Sequence, residues 1–318
     1  MAAAAEMGGG VRTLVFWLLM CPAALPATTF YVTIAGLGGE PEYEQRFTSW
    51  TKDIDKFVRA QSGDVKVETL SGPAATRAKV QSALGEIAKD AKPGDALVVM
   101  MIGHGSFDGS VYKFNLPGPD LSDAELAALL DRVHVDRQLV VNMTSASGGS
   151  RAALIKPNRA VITATKMGSE KNATIFARYW VEALRDPAAD LDKNEVISAL
   201  EAFKYAEQKT AKFYETQKRL ATEHAILEDT GKGDGTKSPS AENGEGLLAG
   251  RIGLVRLGSA QTAASTPEKQ KLLLRKEELE TQIDSLKYQK AAMPIDQYRR
   301  QLAALLLELA KTQAELDK

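Results

Sequence analysis

The sequence predicts an α/β fold, a mostly parallel sheet covered by helices on both faces, with a helical hairpin after it. Three observations carry that expectation. From Thr29 onward, short β-branched or apolar runs alternate with amphipathic helical stretches, the pattern of strands joined by helical crossovers. Several runs are apolar throughout, as strands buried on both faces must be. The last stretch, Thr266 to Lys318, changes to a charged sequence with leucines at heptad-like spacing.

Bulk properties narrow the function classes. At 318 residues, 44% apolar and 25% charged, the chain has the composition of a globular protein large enough for one domain and an appendage. A formal net charge of -1 and the lack of a long basic run leave no electrostatic basis for binding nucleic acid. Val11 to Leu25 holds a short apolar core behind Arg12 and leads into Pro26-Ala27-Thr28. This reads as a signal peptide, residues 1–27, of a secreted or periplasmic protein. Left uncleaved, it would be an N-terminal anchor and the chain's one route to a membrane. Cys21, the only cysteine, lies inside that segment. The rest of the chain therefore has no disulfide, no thiolate metal site and no cysteine nucleophile.

Taken in order, Thr29 to Ala35 is a buried strand running into a glycine loop. Pro41 to Gln61 is a helix with Phe47, Trp50, Ile54 and Phe57 on one face. Asp64 to Leu70 is a second strand and Ala74 to Ala91 a second helix. Lys92-Pro93-Gly94-Asp95 turns the chain into a third strand, Ala96 to Ile102. Ser122 and Glu125 form a capping box ahead of the helix bearing Leu126, Leu129 and Leu130. Arg137 to Met143 and Arg159 to Thr165 are the fourth and fifth strands, followed by helices over Ala173 to Arg185 and Ala199 to Ala225. The domain is expected over 28–228, a flexible Gly/Lys/Asp/Ser-rich linker over 229–265 with 230–245 mobile, and the hairpin over 266–318. Within that linker, LLAGRIGLVRLG could be a last strand or a tether.

Two strand ends carry the chemistry. The third strand delivers His104 between Gly103 and Gly105, and the fourth stops at Thr144-Ser145-Ala146-Ser147-Gly148-Gly149. Neighbouring parallel strands bring such residues together at the carboxyl edge of the sheet, where open α/β folds place their sites. The pattern resembles the caspase and legumain clan of cysteine peptidases, whose histidine ends the third strand and whose cysteine ends the fourth. The interval is about 40 residues here, near the ~50 of the caspase signature. The legumain-type branch is most similar: its His-Gly-Ala motif matches His104-Gly105-Ser106, and its Ala-Cys-x-Ser-Gly-Ser matches 144–149. The resemblance implies a caspase-like three-layer sandwich, and it puts Ser145 (Thr144 after a one-residue slip) where the family has cysteine.

A serine hydroxyl needs a true general base, and usually a third group to orient that base. By resemblance, His104 would be the base and the N–H groups of Gly105 and Ser145 the oxyanion donors. The family's orienting Asn corresponds to about Gly38, where no side chain can serve. Arg46 and Glu170 lie in the regions that bind an Asn or Asp side chain of the substrate in legumains; as surface charges they would have no such role. Three readings follow: an endopeptidase with a Ser145/His104 dyad, an inactive pseudopeptidase serving as a peptide-binding or scaffolding module, or turn chemistry in an unrelated α/β domain. The partner is a peptide or protein in the first two. No cofactor is required.

One further motif stands apart. Asp190 to Glu201 (DLDKNEVISALE) places Asp190, Asp192, Asn194, Val196, Ser198 and Glu201 at positions 1, 3, 5, 7, 9 and 12 of an EF-hand-like loop, a pattern for Ca²⁺. Glu195 stands at position 6, where glycine normally supplies the turn. Without metal, the same residues would be an acidic helix N-terminus. The C-terminal helices, finally, could pack on a copy of themselves.

Overall fold

The computed structural model describes residues 27–61, 63–233, 235–258, 260 and 266–318. The signal-peptide reading and Cys21 lie outside the described residues. The centre is a six-stranded sheet. Five strands run parallel: β1 (Thr29–Ala35), β2 (Val65–Leu70), β3 (Ala96–Ile102), β7 (Arg137–Asn142) and β8 (Arg159–Thr163). A short β10 (Ile226–Glu228) closes one edge antiparallel to β8, giving the order β10-β8-β7-β3-β1-β2.

Alternation along each strand divides the core in two. Tyr31 and Ala35 of β1, with Val98, Met100 and Ile102 of β3, face one side. There they meet α1 (Pro41–Arg59), α5 (Phe176–Ala183) and α6 (Ala199–Thr216) through Phe47, Ile54, Trp180 and Phe203. Phe30, Val32 and Ile34, with Leu97, Val99 and Met101, face the other side. Their partners are α2 (Arg77–Asp90), α3 (Asp123–Leu130) and the single turn α4 (Arg151–Leu154), through Val80, Leu84, Leu126, Leu130 and Leu154. β3 is buried at every residue, so its unbroken apolar run reflects burial on both faces. The result is the expected three-layer α/β sandwich.

A second, smaller sheet lies across the carboxyl edge: β4 (Gly105–Phe107), β5 (Tyr112–Phe114) and β6 (Leu121–Ser122), all antiparallel. Three-residue strands leave no periodic signal, so the sequence alone does not announce this sheet. The capping box of α3 forms as expected, Ser122 Oγ accepting the Glu125 N–H and the Glu125 carboxylate accepting the Ser122 N–H.

Two expectations are corrected. The helix read over Ala199 to Ala225 stops at Thr216, because Lys218 takes a left-handed conformation (φ 52°) and Arg219 N–H turns back to the Tyr214 carbonyl. Glycine usually fills that helix-ending position, so the stop had no sequence signal. Of the stretch expected as a flexible linker, the described residues up to Gly258 are folded onto the domain. The Asp229 carboxylate accepts the N–H groups of Gly246 and Ala249 (2.8 and 2.9 Å), and the Glu245 carboxylate accepts that of Asp229 (2.9 Å). These bonds hold the turn α7 (Leu247–Gly250) and lead into β11 (Gly253–Arg256), which pairs antiparallel with β9 (Val196–Ser198). The LLAGRIGLVRLG patch thus supplies the last strand.

The tail forms the expected helical hairpin, α8 (Pro267–Gln289) against α9 (Ile295–Leu316). Leu273, Leu279, Ile283, Leu286 and Leu316 are buried. The hairpin also touches the domain: Arg256 Nε bonds Glu277 Oε1 (2.8 Å), and the Tyr288 hydroxyl donates to the Glu245 carbonyl (2.9 Å).

Candidate active site

The fold places His104 just past β3 and Ser145 just past β7, on adjacent strands. Two glycines make the approach possible. Gly103 has φ 152°, and a Cβ there would meet the Phe114 ring at 3.0 Å. A Cβ on Gly105 would stand 2.5 Å from the Tyr112 ring and 2.6 Å from the Ser145 carbonyl oxygen. The backbone after β3 can therefore lie directly against the loop after β7 only if position 105 has no side chain.

His104 is half-buried and held from α1. Its ring sits edge-on to Tyr43 (4.8 Å between centroids) and Phe47 (5.3 Å). The Gly38 backbone lies close enough to the ring to favour its protonated form. The Gly38 N–H donates to the Glu44 carboxylate at 2.7 Å. Burial lowers the His104 pKa below the usual histidine value, against the Gly38 backbone and the Glu40 and Glu44 charges, which favour the cation. The ring is held chiefly by its packing on Tyr43 and Phe47. Gly38 packs against the backbone of Glu44, where a Cβ would approach to 2.5 Å.

Ser145 is placed differently from the expectation. Its Oγ accepts the Gly105 N–H at 3.1 Å and donates to the Gly105 carbonyl at 3.1 Å. The residue is only 3% exposed. Among the described residues no hydrogen bond joins Ser145 to His104, so the anticipated base–nucleophile contact is replaced by a backbone clasp. The same clasp occupies the Gly105 N–H that was expected to receive an oxyanion. The cause lies in β4: the His104 carbonyl accepts the Asn115 N–H, so Gly105, the next residue, presents its own N–H and C=O to the opposite side.

Thr144 is fully buried and committed elsewhere. Its hydroxyl lies 2.6 Å from the Tyr112 hydroxyl, 2.8 Å from Asn142 Oδ1 and 3.0 Å from the Ser145 carbonyl. Asn142 Nδ2 extends this network to Ser150 Oγ (3.0 Å). Thr144 therefore packs β5 against the end of β7, and the one-residue slip does not produce a nucleophile. Tyr112 and Asn142 carry no recognisable motif; their part depends on the small sheet.

The two proposed substrate contacts separate. Arg46 pairs with Glu42 on its own helix and stands 5.3 Å from the Tyr43 ring centroid, one ring away from His104. Glu170 instead fastens a loop: its Oε2 accepts the Lys166 N–H (2.8 Å), its Oε1 lies 2.6 Å from His224 Nδ1, and its carbonyl accepts the Ala146 N–H (2.8 Å). Both carboxylate oxygens are thus engaged in holding this loop.

In the loop after α5, the carboxylates of Asp190, Asp192 and Glu201 come within 4.8 Å of one another. Glu195 takes φ 68°, so position 6 makes the turn that glycine would make, at a cost of roughly 1–2 kcal/mol. Partial burial, then the Glu201 charge, pushes the Asp192 carboxyl up to about 6. All the side-chain ligands are also engaged locally: Glu201 Oε1 accepts the Leu191 N–H (2.8 Å), Asp190 Oδ2 that of Glu195 (3.1 Å) and Asp192 Oδ1 that of Asn194 (3.1 Å). Asn194 Oδ1 accepts the Val196 N–H (2.7 Å), and Ser198 Oγ bonds Glu201 in the capping box that opens α6. Val196 lies on β9, paired with β11. A short strand thus occupies positions 7 to 9 of the loop, and α6 begins at Ala199. Helix α8 covers the loop, with Asn194 Nδ2 donating to Glu280 Oε2 at 3.3 Å. The three converging carboxylates fit a hard cation such as Ca²⁺.

No family model and no curated protein matches the chain. Among solved structures, it is similar to a structural-genomics protein from Geobacter sulfurreducens, with 13% identity and a TM-score of 0.45, covering 73% of this chain and all of that one. It is also similar to the Drosophila initiator caspase Dronc, with 9% identity and a TM-score of 0.38, covering 74% of this chain and 95% of that one.

Proposed function

We propose that the chain is a peptidase homologue of the caspase–legumain type that binds peptide or protein ligands at the carboxyl edge of its sheet without cleaving them. The observation that carries this reading is the Ser145 clasp, a buried hydroxyl whose donor and acceptor capacities are both met by Gly105. An activated serine needs its proton aimed at the base. Leu37 and Met167, which follow β1 and β8 at the same edge, are 43% and 55% exposed and offer a ligand apolar surface. The hydrolase reading requires Ser145 to leave Gly105 and His104 to turn toward it.

A fluorophosphonate probe and a peptide-hydrolysis assay separate the two. The expected result is no labelling and no turnover, with peptide binding weakened by His104→Ala. Labelling of the wild type that disappears in both Ser145→Ala and His104→Ala would establish the dyad instead.

We further propose Ca²⁺ for the Asp190/Asp192/Glu201 loop, in the secreted or periplasmic setting read from residues 1–27. The twelve-residue spacing and the left-handed Glu195 support it. Calorimetry with Ca²⁺ should show binding that Asp192→Ala weakens; equal heats from both proteins would dispose of the site.

A further inference from the structure

We propose that His224 and Glu223 form a proton-controlled latch on the loop between β8 and α5, closed in mild acid and released as pH rises past neutrality. The latch stands whether or not the carboxyl edge of the sheet binds a peptide. The loop, residues 164–175, borders that edge. The Ala146 N–H donates to the Glu170 carbonyl, a Cβ on Gly148 would meet the Lys166 backbone at 2.4 Å, and one on Gly168 would meet the Phe107 ring at 2.2 Å. Exposed Met167 belongs to it. The segment returning from α6 fastens this loop twice. Glu170 Oε1 lies 2.6 Å from His224 Nδ1, while Glu170 Oε2 accepts the N–H groups of Lys166 (2.8 Å) and His224 (3.3 Å). At the start of α5, the Glu223 carboxylate accepts the N–H groups of Ile175 (2.8 Å) and Phe176 (3.2 Å) and the Tyr214 O–H (3.0 Å).

Both residues give the latch the same sign. His224 and Glu170 form an ion pair only when the imidazole is protonated, a charge that histidine loses between about pH 5 and pH 8. Glu223 is 3% exposed, and burial, with the Glu170 charge adding to it, pushes its carboxyl up to about 7. Opening the loop returns Glu223 to water and to the ordinary carboxylate range. The closed form therefore keeps a proton that the open form gives up, and its advantage is lost as pH rises through about 7. Above that, Glu170 and Glu223 face one another as anions beside a neutral imidazole. A cavity of about 250 Å³ adjoins both residues and lets water reach the latch. Its other charges are Glu207, paired with Lys237, Glu215, paired with Lys212, and Arg219, which acts on the Tyr214 hydroxyl. The loop's own lysines, Lys166 and Lys171, are exposed and make no ion pair among the described residues.

Amide hydrogen exchange of the full chain by NMR, corrected for the intrinsic pH dependence of exchange, tests the latch. Between about pH 5.5 and about pH 8, protection of the Ala146, Lys166, Ile175 and Phe176 amides should fall about tenfold or more. The amides of β3 should keep theirs. Glu223→Gln and His224→Gln should each remove part of the fall, and the double variant should show none. Constant protection of the four amides in the wild type would overturn the proposal, with no variant needed. So would a fall that persists unchanged in the double variant, or one shared by β3, which would mean global unfolding.

Discussion

Replacing Ser145 with alanine distinguishes a structural hydroxyl from a catalytic one, and the size of the effect can be worked from the geometry. Ser145 Oγ makes two hydrogen bonds of 3.1 Å, accepting the Gly105 N–H and donating to the Gly105 carbonyl. A neutral intramolecular bond contributes about 1 kcal/mol net, and an orphaned donor or acceptor adds a desolvation cost where water cannot replace the partner. Ser145→Ala removes both bonds and leaves two backbone groups facing a methyl group. The expected loss is about 2 kcal/mol, or a fall in Tm of roughly 4–8 °C at the ~2–4 °C per kcal/mol typical of larger domains. Urea unfolding of wild type and variant should show the midpoint lowered with an unchanged slope, which locates the loss in the native state. A catalytic serine has no such structural duty, and its removal often leaves stability unchanged or raised. If Ser145→Ala unfolds at the wild-type midpoint, the clasp does not hold the loop and the argument against the dyad fails.

Three more outcomes are expected. The His104 pKa is lowered chiefly by burial, so the folded state resists a proton that the unfolded state accepts near pH 6.5. Its stability contribution is complete above that pH and declines as pH falls toward the folded value; an NMR titration should find the ring titrating below 6.5, and a value above it would contradict the packing described. Glu223 is pushed up to about 7 by burial, the opposite case: its contribution is complete below the unfolded carboxylate value and is lost as pH rises through about 7. Glu223→Gln should flatten that fall in a pH series of denaturation midpoints, and an unchanged slope would assign it elsewhere. Trp180 is fully buried beneath the sheet, 6.1 Å from the Phe176 ring. Trp180→Ala should cost about 3–5 kcal/mol by calorimetry or urea titration.

Legibility in the sequence follows the range of the interactions. β1, β3, β7 and β8 were readable because burial on both faces demands continuous apolar runs. The α3 capping box was readable because its partners are three residues apart. The end of α6 at Lys218 was not, because a left-handed lysine looks like any other lysine. The fold of 229–258 was hidden because Asp229 and Glu245 act on backbone N–H groups, which composition does not show. His104 and Ser145 were found as strand-end residues on neighbouring strands, yet their partners, Gly38 and Gly105, act through backbone atoms.

By itself, the sequence determined the α/β alternation, the separate helical tail, the lack of any cysteine outside residues 1–27, and the two strand ends that meet at one edge. Those are matters of residue identity and short periodicity. Tertiary structure alone decided where each polar atom points. The small β4-β5-β6 sheet directs the Gly105 peptide at Ser145, and α1 packs Tyr43 and Phe47 against the His104 ring. A hydroxyl and an imidazole at neighbouring strand ends are compatible with a dyad or with two separate clasps, and packing against distant segments selects between them.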